Sequence, residues 1–202
     1  SFLKISPNNR IPAIIDPSGP GGKSLSIFES GAILQYLGRK SGKFYPKNER
    51  ERSNVDQWLF WQMGGLGPMA GQAHHFRMYA PQFTKENLKY SIKRYTNEVN
   101  RLYGVMNKQL RKNKYLAGRY SIADMACWGW ILPSKISSKM QGQKLKEFPY
   151  LFKWFEKVGA RPAVKRGLDI GKVMRNLRNA GPADNSKEAR KTRAILFNQK
   201  SR

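Results

Sequence analysis

The spacing of apolar positions changes once along this chain, and the change divides it. Up to residue 28 they come in short runs. Asn8-Asn9-Arg10 reads as a turn feeding a strand through Ile11-Pro12-Ala13-Ile14-Ile15-Asp16, and Ser24-Leu25-Ser26-Ile27 is a second short run. Between them Pro17 to Lys23 is rich in Pro and Gly, so the pair reads as an antiparallel ribbon. From Ser30 the period becomes helical. A helix over 30–40 stops at Ser41-Gly42, where Gly suits the left-handed residue that ends a helix. Lys43 to Pro46 reads as a linker, and after it no strand pattern competes.

The helical part has its own punctuation. Val55, Trp58, Leu59, Gln62 and Met63 mark a helix over 48–64. Gly64-Gly65-Leu66-Gly67-Pro68 is expected to kink or break it before it resumes over 69–76. Leu88, Ile92, Tyr95, Val99, Leu102, Met106 and Leu110 form a core stripe on a helix over 84–113. Ser121 followed by Asp124 has capping-box spacing and starts the apolar helix that meets Pro133. Two more helices are expected, one ending near Gly159 and one opening at Pro162 in its first turn. The fold class is therefore α/β plus all-α: an α/β part over 1–42, an all-α part over 47–172, and a basic, mobile tail over 173–202.

Charge and cysteine content adjust this picture. Lys and Arg number 38 against 13 Asp and Glu, a formal charge of +25. Such a balance attracts nucleic acid, anionic membranes and small anions alike, but the basic residues are spread along the chain and no nucleic-acid motif accompanies them. Cys127 is the one cysteine, so no intrachain disulfide forms, and a reducing, cytoplasmic setting is expected. It sits between Ala126 and Trp128 with no neighbouring base, which reads as a buried, inert thiol. No apolar run approaches the ~18 residues of a membrane span.

The candidate chemistry lies at the open end of the ribbon. Pro12 offers no N–H, and an X-Pro bond is where a cis peptide costs least. A cis Ile11-Pro12 turns the Ile11 N–H and C=O outward, where they pair with another peptide backbone. Ser30, at the start of a helix, offers a hydroxyl, free N–H groups and the positive end of the helix dipole to a carboxylate. Glu29 offers a charge to an ammonium. Together they suit a peptide with an α-amino-acid end; the competing reading makes Ser30 a simple N-cap and Pro12 an ordinary trans proline. His74-His75 lacks Cys, Asp or Glu at ligand spacing, and its members point to different helix faces, so they read as cleft-lining or structural residues and no metal is expected. Ser121 and Asp124 read as a structural cap.

Phe2 to Ile14 and Phe28 to Leu34 resemble the glutathione-binding half of glutathione transferases. Gln57 to Met69, with Gly71-Gln72-Ala73-His74-His75-Phe76, looks like the bacterial nu class, whose members include a glutathione-dependent disulfide-bond oxidoreductase. The resemblance runs from Phe2 to about Lys172. It implies an incomplete thioredoxin-like N-terminal domain followed by an all-helical C-terminal domain. It also implies glutathione or its disulfide held by Ile11, Pro12, Glu29 and Ser30, and a homodimer in which Arg94 contacts a glutathione carboxylate in the neighbouring subunit. Family members begin with a strand, a helix and a second strand that carry the residues facing the glutathione sulfur. Nothing in residues 1–7 replaces them, so the chain reads as a fragment and its catalytic residues are unknown.

Three functions follow as alternatives. The first is a glutathione-dependent enzyme that reduces disulfides or transfers glutathione to electrophiles. The second is a non-catalytic transferase-like module for dimerisation or partner docking. The third, a nucleic-acid binder, rests on charge alone.

Overall fold

The computed structural model describes residues 2–170. The tail expected over 173–202 lies outside the described residues. By its contacts the chain divides into two units, Ser1–Gly159 and Ala160–Arg202.

The first unit opens with a 3-10 turn, Phe2–Lys4, and a two-stranded antiparallel sheet, β1 (Ala13–Asp16) and β2 (Leu25–Phe28). Ala13 pairs with Phe28 and Asp16 with Leu25. The Pro/Gly loop makes the connection through a short 3-10 turn at Pro20–Gly22, where Gly21 and Gly22 both have positive φ. Helix α1 (Ser30–Ser41) follows at once and ends on Gly42 in the left-handed conformation. It is tied to the far end of the sheet by Asp16, whose carboxylate accepts hydrogen bonds from the Tyr36 hydroxyl and the Lys40 ammonium.

Every later described element is helical: α2 (Glu49–Trp61), α3 (Gly67–His74), α4 (Lys89–Lys112), α5 (Ile122–Ile136), the short α6 (Ser138–Gln141) and α7 (Pro149–Gly159). Helix α1 joins this helical body through a core of Tyr45, Val55, Leu59, Ile122 and Ala123, against which Leu34 of α1 packs together with Trp58 and Met63. Tyr45 also donates its hydroxyl to Asp56, 2.9 Å away, and Gln35 of α1 donates to the same carboxylate at 2.8 Å. The described residues thus form the expected α/β part, here a two-stranded sheet and one helix, followed by an all-helical part.

Two helix expectations need revision. Of the two outcomes expected at Gly64 to Pro68, a break does not occur. The ladder passes through a π-turn at Gln62–Leu66, in which the Gly67 N–H donates to the Gln62 carbonyl, and continues as α3 with Pro68 in its first turn. Proline lacks an N–H, and widening the turn just before it absorbs the change of ladder without an end to the helix. A second π-turn, His75–Tyr79, follows α3. Helix α4 begins at Lys89 and not at Thr84. The Thr84 hydroxyl accepts the Glu86 N–H and Asn87 Oδ1 accepts the Lys89 N–H, so local side-chain turns hold 84–88 out of the helix.

The α5 N-terminus is the most heavily bonded point of the helical body. Asp124 is fully buried. It accepts the N–H groups of Leu116 and Ser121, each at 3.1 Å, and the indole N–H of Trp154 at 2.8 Å. The reciprocal Ser121–Asp124 capping box is present. In the second unit the described residues form α8 (Pro162–Asp169), with Arg161 as N-cap residue and Pro162 in the first turn.

Candidate functional site

Ala13 pairs with Phe28, so Pro12 and Glu29 are the residues that flank the last pair at the open end of the sheet. The preceding turn is fixed from within: the Ser6 hydroxyl donates to the Arg10 carbonyl at 2.8 Å, and the Asn9 N–H to the Ser6 carbonyl at 2.9 Å. The Ile11-Pro12 bond is cis, and Ile11 is 85% exposed.

Glu29 is the N-cap residue of α1, with φ 68° and ψ 122° and no side-chain cap. Non-glycine residues rarely hold such a backbone, which costs about 1–3 kcal/mol and concentrates at functional positions. The twist lets the chain turn from β2 into α1 within one residue. Ser30 is then the first helical residue and not the cap. The Ile33 N–H reaches the Glu29 carbonyl at 2.9 Å, while the N–H groups of Ser30, Gly31 and Ala32 precede the first intrahelical bond, a natural seat for an anion.

Two residues that sequence reasoning missed hold this end in place. Asn8 donates through Nδ2 to Glu29 Oε1 at 3.5 Å. The Ser30 hydroxyl lies 3.8 Å from Met63 Sδ. A Cβ on Gly31 would stand 3.1 Å from Met63 Cε, so glycine is what lets α1 approach the π-turn this closely. Asn8 had a turn signal, but Met63 had only the signature of a core residue.

The other expected residues lie elsewhere. Arg94, exposed on α4, sits 3.8 Å from Glu98 Oε2, while Glu98 makes a closer bond, 2.6 Å, with Arg101. Among the described residues nothing joins Arg94 to Ile11, Glu29 or Ser30. His74 stacks on Tyr79 with centroids 5.1 Å apart, and His75 meets Phe76 edge-on at 5.2 Å. Burial pushes the His74 imidazole below its ordinary pKa, favouring the neutral ring. No cluster among the described residues groups three or more metal-ligating side chains, and no described helix is long and apolar enough to cross a membrane. Cys127 is fully buried, and burial raises its thiol pKa well above the usual value, keeping it protonated.

Comparison with known proteins gives the family. The glutathione S-transferase N-terminal domain model matches residues 1–39 and the C-terminal domain model residues 73–168. The chain is 50% identical over 169 residues to the disulfide-bond oxidoreductase YfcG of Escherichia coli K12, covering 83% of this chain and 75% of that protein. The chain belongs to the glutathione transferase family. A second relative, the disulfide-bond oxidoreductase YghU of the same organism, is 37% identical over 176 residues, 85% of this chain and 59% of YghU. Both relatives support the bacterial nu class within that family. A crystal structure of a Pseudomonas putida glutathione transferase superposes with a TM-score of 0.76 at 41% identity, covering 84% of this chain and 73% of that one. That protein carries one glutathione disulfide per subunit.

Proposed function

We propose that this glutathione transferase binds glutathione or glutathione disulfide at the Ile11–Ser30 corner and uses it in thiol-disulfide exchange or in transfer of glutathione to an electrophile. The observation that carries the reading is the start of α1. Three backbone N–H groups without an intrahelical acceptor, a serine hydroxyl, and a glutamate held in a glycine-like backbone stand opposite an exposed Ile11-Pro12. The α-carboxylate of a γ-glutamyl group suits the Ser30 end, its ammonium suits Glu29, and the peptide main chain suits the exposed Ile11 backbone. The bound glutathione disulfide of the Pseudomonas putida relative supports the same ligand class.

In the exchange reaction two glutathione thiols are oxidised to one disulfide, while the substrate disulfide gains two electrons and two protons to become two thiols. Cys127 takes no part, being buried and protonated. The residues at the corner bind and orient; activation of the sulfur is assigned to none of them. A homodimer belongs to the same reading. The exposed guanidinium of Arg94 makes, among the described residues, one long contact to Glu98; in this reading it turns toward a second copy's ligand, where its planar fork fits a carboxylate. His74 and His75, placed at the end of α3, are assigned to the wall of the substrate cleft.

The test is thermal unfolding with glutathione and glutathione disulfide, paired with turnover of hydroxyethyl disulfide. A melting temperature that rises with ligand, and rises less for Ser30→Ala, supports the site. No rise at millimolar ligand removes it.

A further inference from the structure

A cleft lies on the helical body, lined by none of the residues of the corner just described. It is bounded by α2 on one side and by the end of α4 with the 116–118 turn on the other, and has a volume of about 590 Å³. Trp58 and Trp61 stand in it edge to face, centroids 5.2 Å apart and planes 70° apart. Four carboxamides, Asn54, Gln57, Gln109 and Asn113, surround them. In a chain with 38 Lys and Arg, no charged side chain among the described residues lines this cleft.

The polar groups here are arranged and unspent. Gln109 gives its Nε2 to the Leu116 carbonyl at 2.7 Å, and Asn113 its Nδ2 to the Gln109 carbonyl at 3.1 Å. Both amides are thereby oriented, and their side-chain oxygens remain as acceptors. Across the cleft, the side chains of Asn54 and Gln57 and the indole N–H groups of Trp58 and Trp61 have no hydrogen-bond partner among the described residues. The indoles of Trp128 and Trp154, by contrast, are bonded at 2.9 and 2.8 Å. The cleft therefore offers donors from α2, fixed acceptors from α4, two aromatic rings at an angle, and no ion.

We propose that this cleft is a binding site for a neutral saccharide of one or two rings. A sugar ring presents C–H groups on its face, which pack on an indole, and hydroxyls at its edge. Each hydroxyl both donates and accepts, and so does each carboxamide. The volume lies within the range of small-ligand pockets, about 300–1,000 Å³. No described lining residue is a cation that would pair with an anionic ligand, so the site differs in chemistry from the glutathione corner.

The test uses uncharged disaccharides (maltose, cellobiose and lactose) as probes, with saturation-transfer NMR on the full chain and titration calorimetry at millimolar sugar. Saturation transfer to at least one probe is expected. Asn54→Ala and Gln57→Ala alter exposed side chains and leave the fold intact; each should weaken binding about tenfold, and Trp61→Phe should remove most of it. Glutathione binding, followed by melting temperature in the same variants, should not change. No transfer to any of the three sugars would overturn the proposal, and so would transfer that persists unaltered in all three variants.

Discussion

Replacing Asp124 by alanine tests the account of the helical body most directly. The carboxylate is fully buried and meets three close donors, the N–H groups of Leu116 and Ser121 at 3.1 Å and the Trp154 indole at 2.8 Å. Each buried donor left unsatisfied costs about 1–3 kcal/mol. The three costs do not simply add, because water enters the space left by the carboxyl and the Ser121 hydroxyl can turn toward it. A net loss of about 3–5 kcal/mol is expected, a large part of the roughly 5–15 kcal/mol that holds a typical domain folded. Asp124→Asn keeps one carbonyl oxygen and should cost less, about 1–2 kcal/mol. Urea unfolding followed by far-ultraviolet circular dichroism measures both. If Asp124→Ala stayed within about 1 kcal/mol of the parent, the carboxylate would not be the anchor of the α5 N-terminus.

Other outcomes follow from single positions. Glu29→Gly should raise stability by releasing the backbone at φ 68°, up to about 1–2 kcal/mol, while weakening glutathione binding; a melting scan with and without ligand separates the two effects. Gly38→Ala places a Cβ 2.6 Å from Tyr45 Cβ and should destabilise by about 1–3 kcal/mol despite alanine's better helix propensity, as read by the urea midpoint. The Asp16 carboxyl, bonded to Lys40 and Tyr36, is lowered to about 2. A depressed carboxyl pKa stabilises the fold above its unfolded value, near 3.8, and that contribution disappears as pH falls toward 2; Asp16→Asn should flatten acid unfolding in this window, and an unchanged acid limb would argue against the bond. Cys127 should stay unreactive toward a thiol reagent in native protein and react fully in urea, since burial keeps it protonated and out of reach.

What could be read from the sequence was what is encoded locally. The stop of α1 at Gly42, the Ser121–Asp124 box and the core stripe of α4 each depend on residues within a turn or two of one another; the structure has the first two, and the stripe is buried at Val99, Leu102, Met106 and Leu110 and only half-buried at Leu88, Ile92 and Tyr95. The ribbon and the run of helices were legible for the same reason. The start of α4 was misjudged because Leu88 fits the stripe while Thr84 and Asn87 bond their own neighbours, and apolar period does not register such bonds. The π-turn was hidden because a Gly-Gly-Leu-Gly-Pro run looks like an ending, whereas the ladder continues through a turn that packs on α4 and α5, distant in sequence. At the corner, the residue types were readable, but the twist at Glu29 and the approach of Met63 were not: one is a backbone torsion, and the other joins positions 33 residues apart. The Trp58–Trp61 cleft was out of reach for the same cause, since its walls come from separate stretches of chain.

Helix α1 is unfinished by its own sequence. No side chain closes its first turn, so under the proposed reading the bound anion would serve as the helix's cap. Occupancy and local order then become one quantity, and hydrogen exchange at the amides of Ser30, Gly31 and Ala32 would slow as the site fills. Ligand concentration would thus set how firmly the segment leading away from the sheet is held, even when no chemistry takes place.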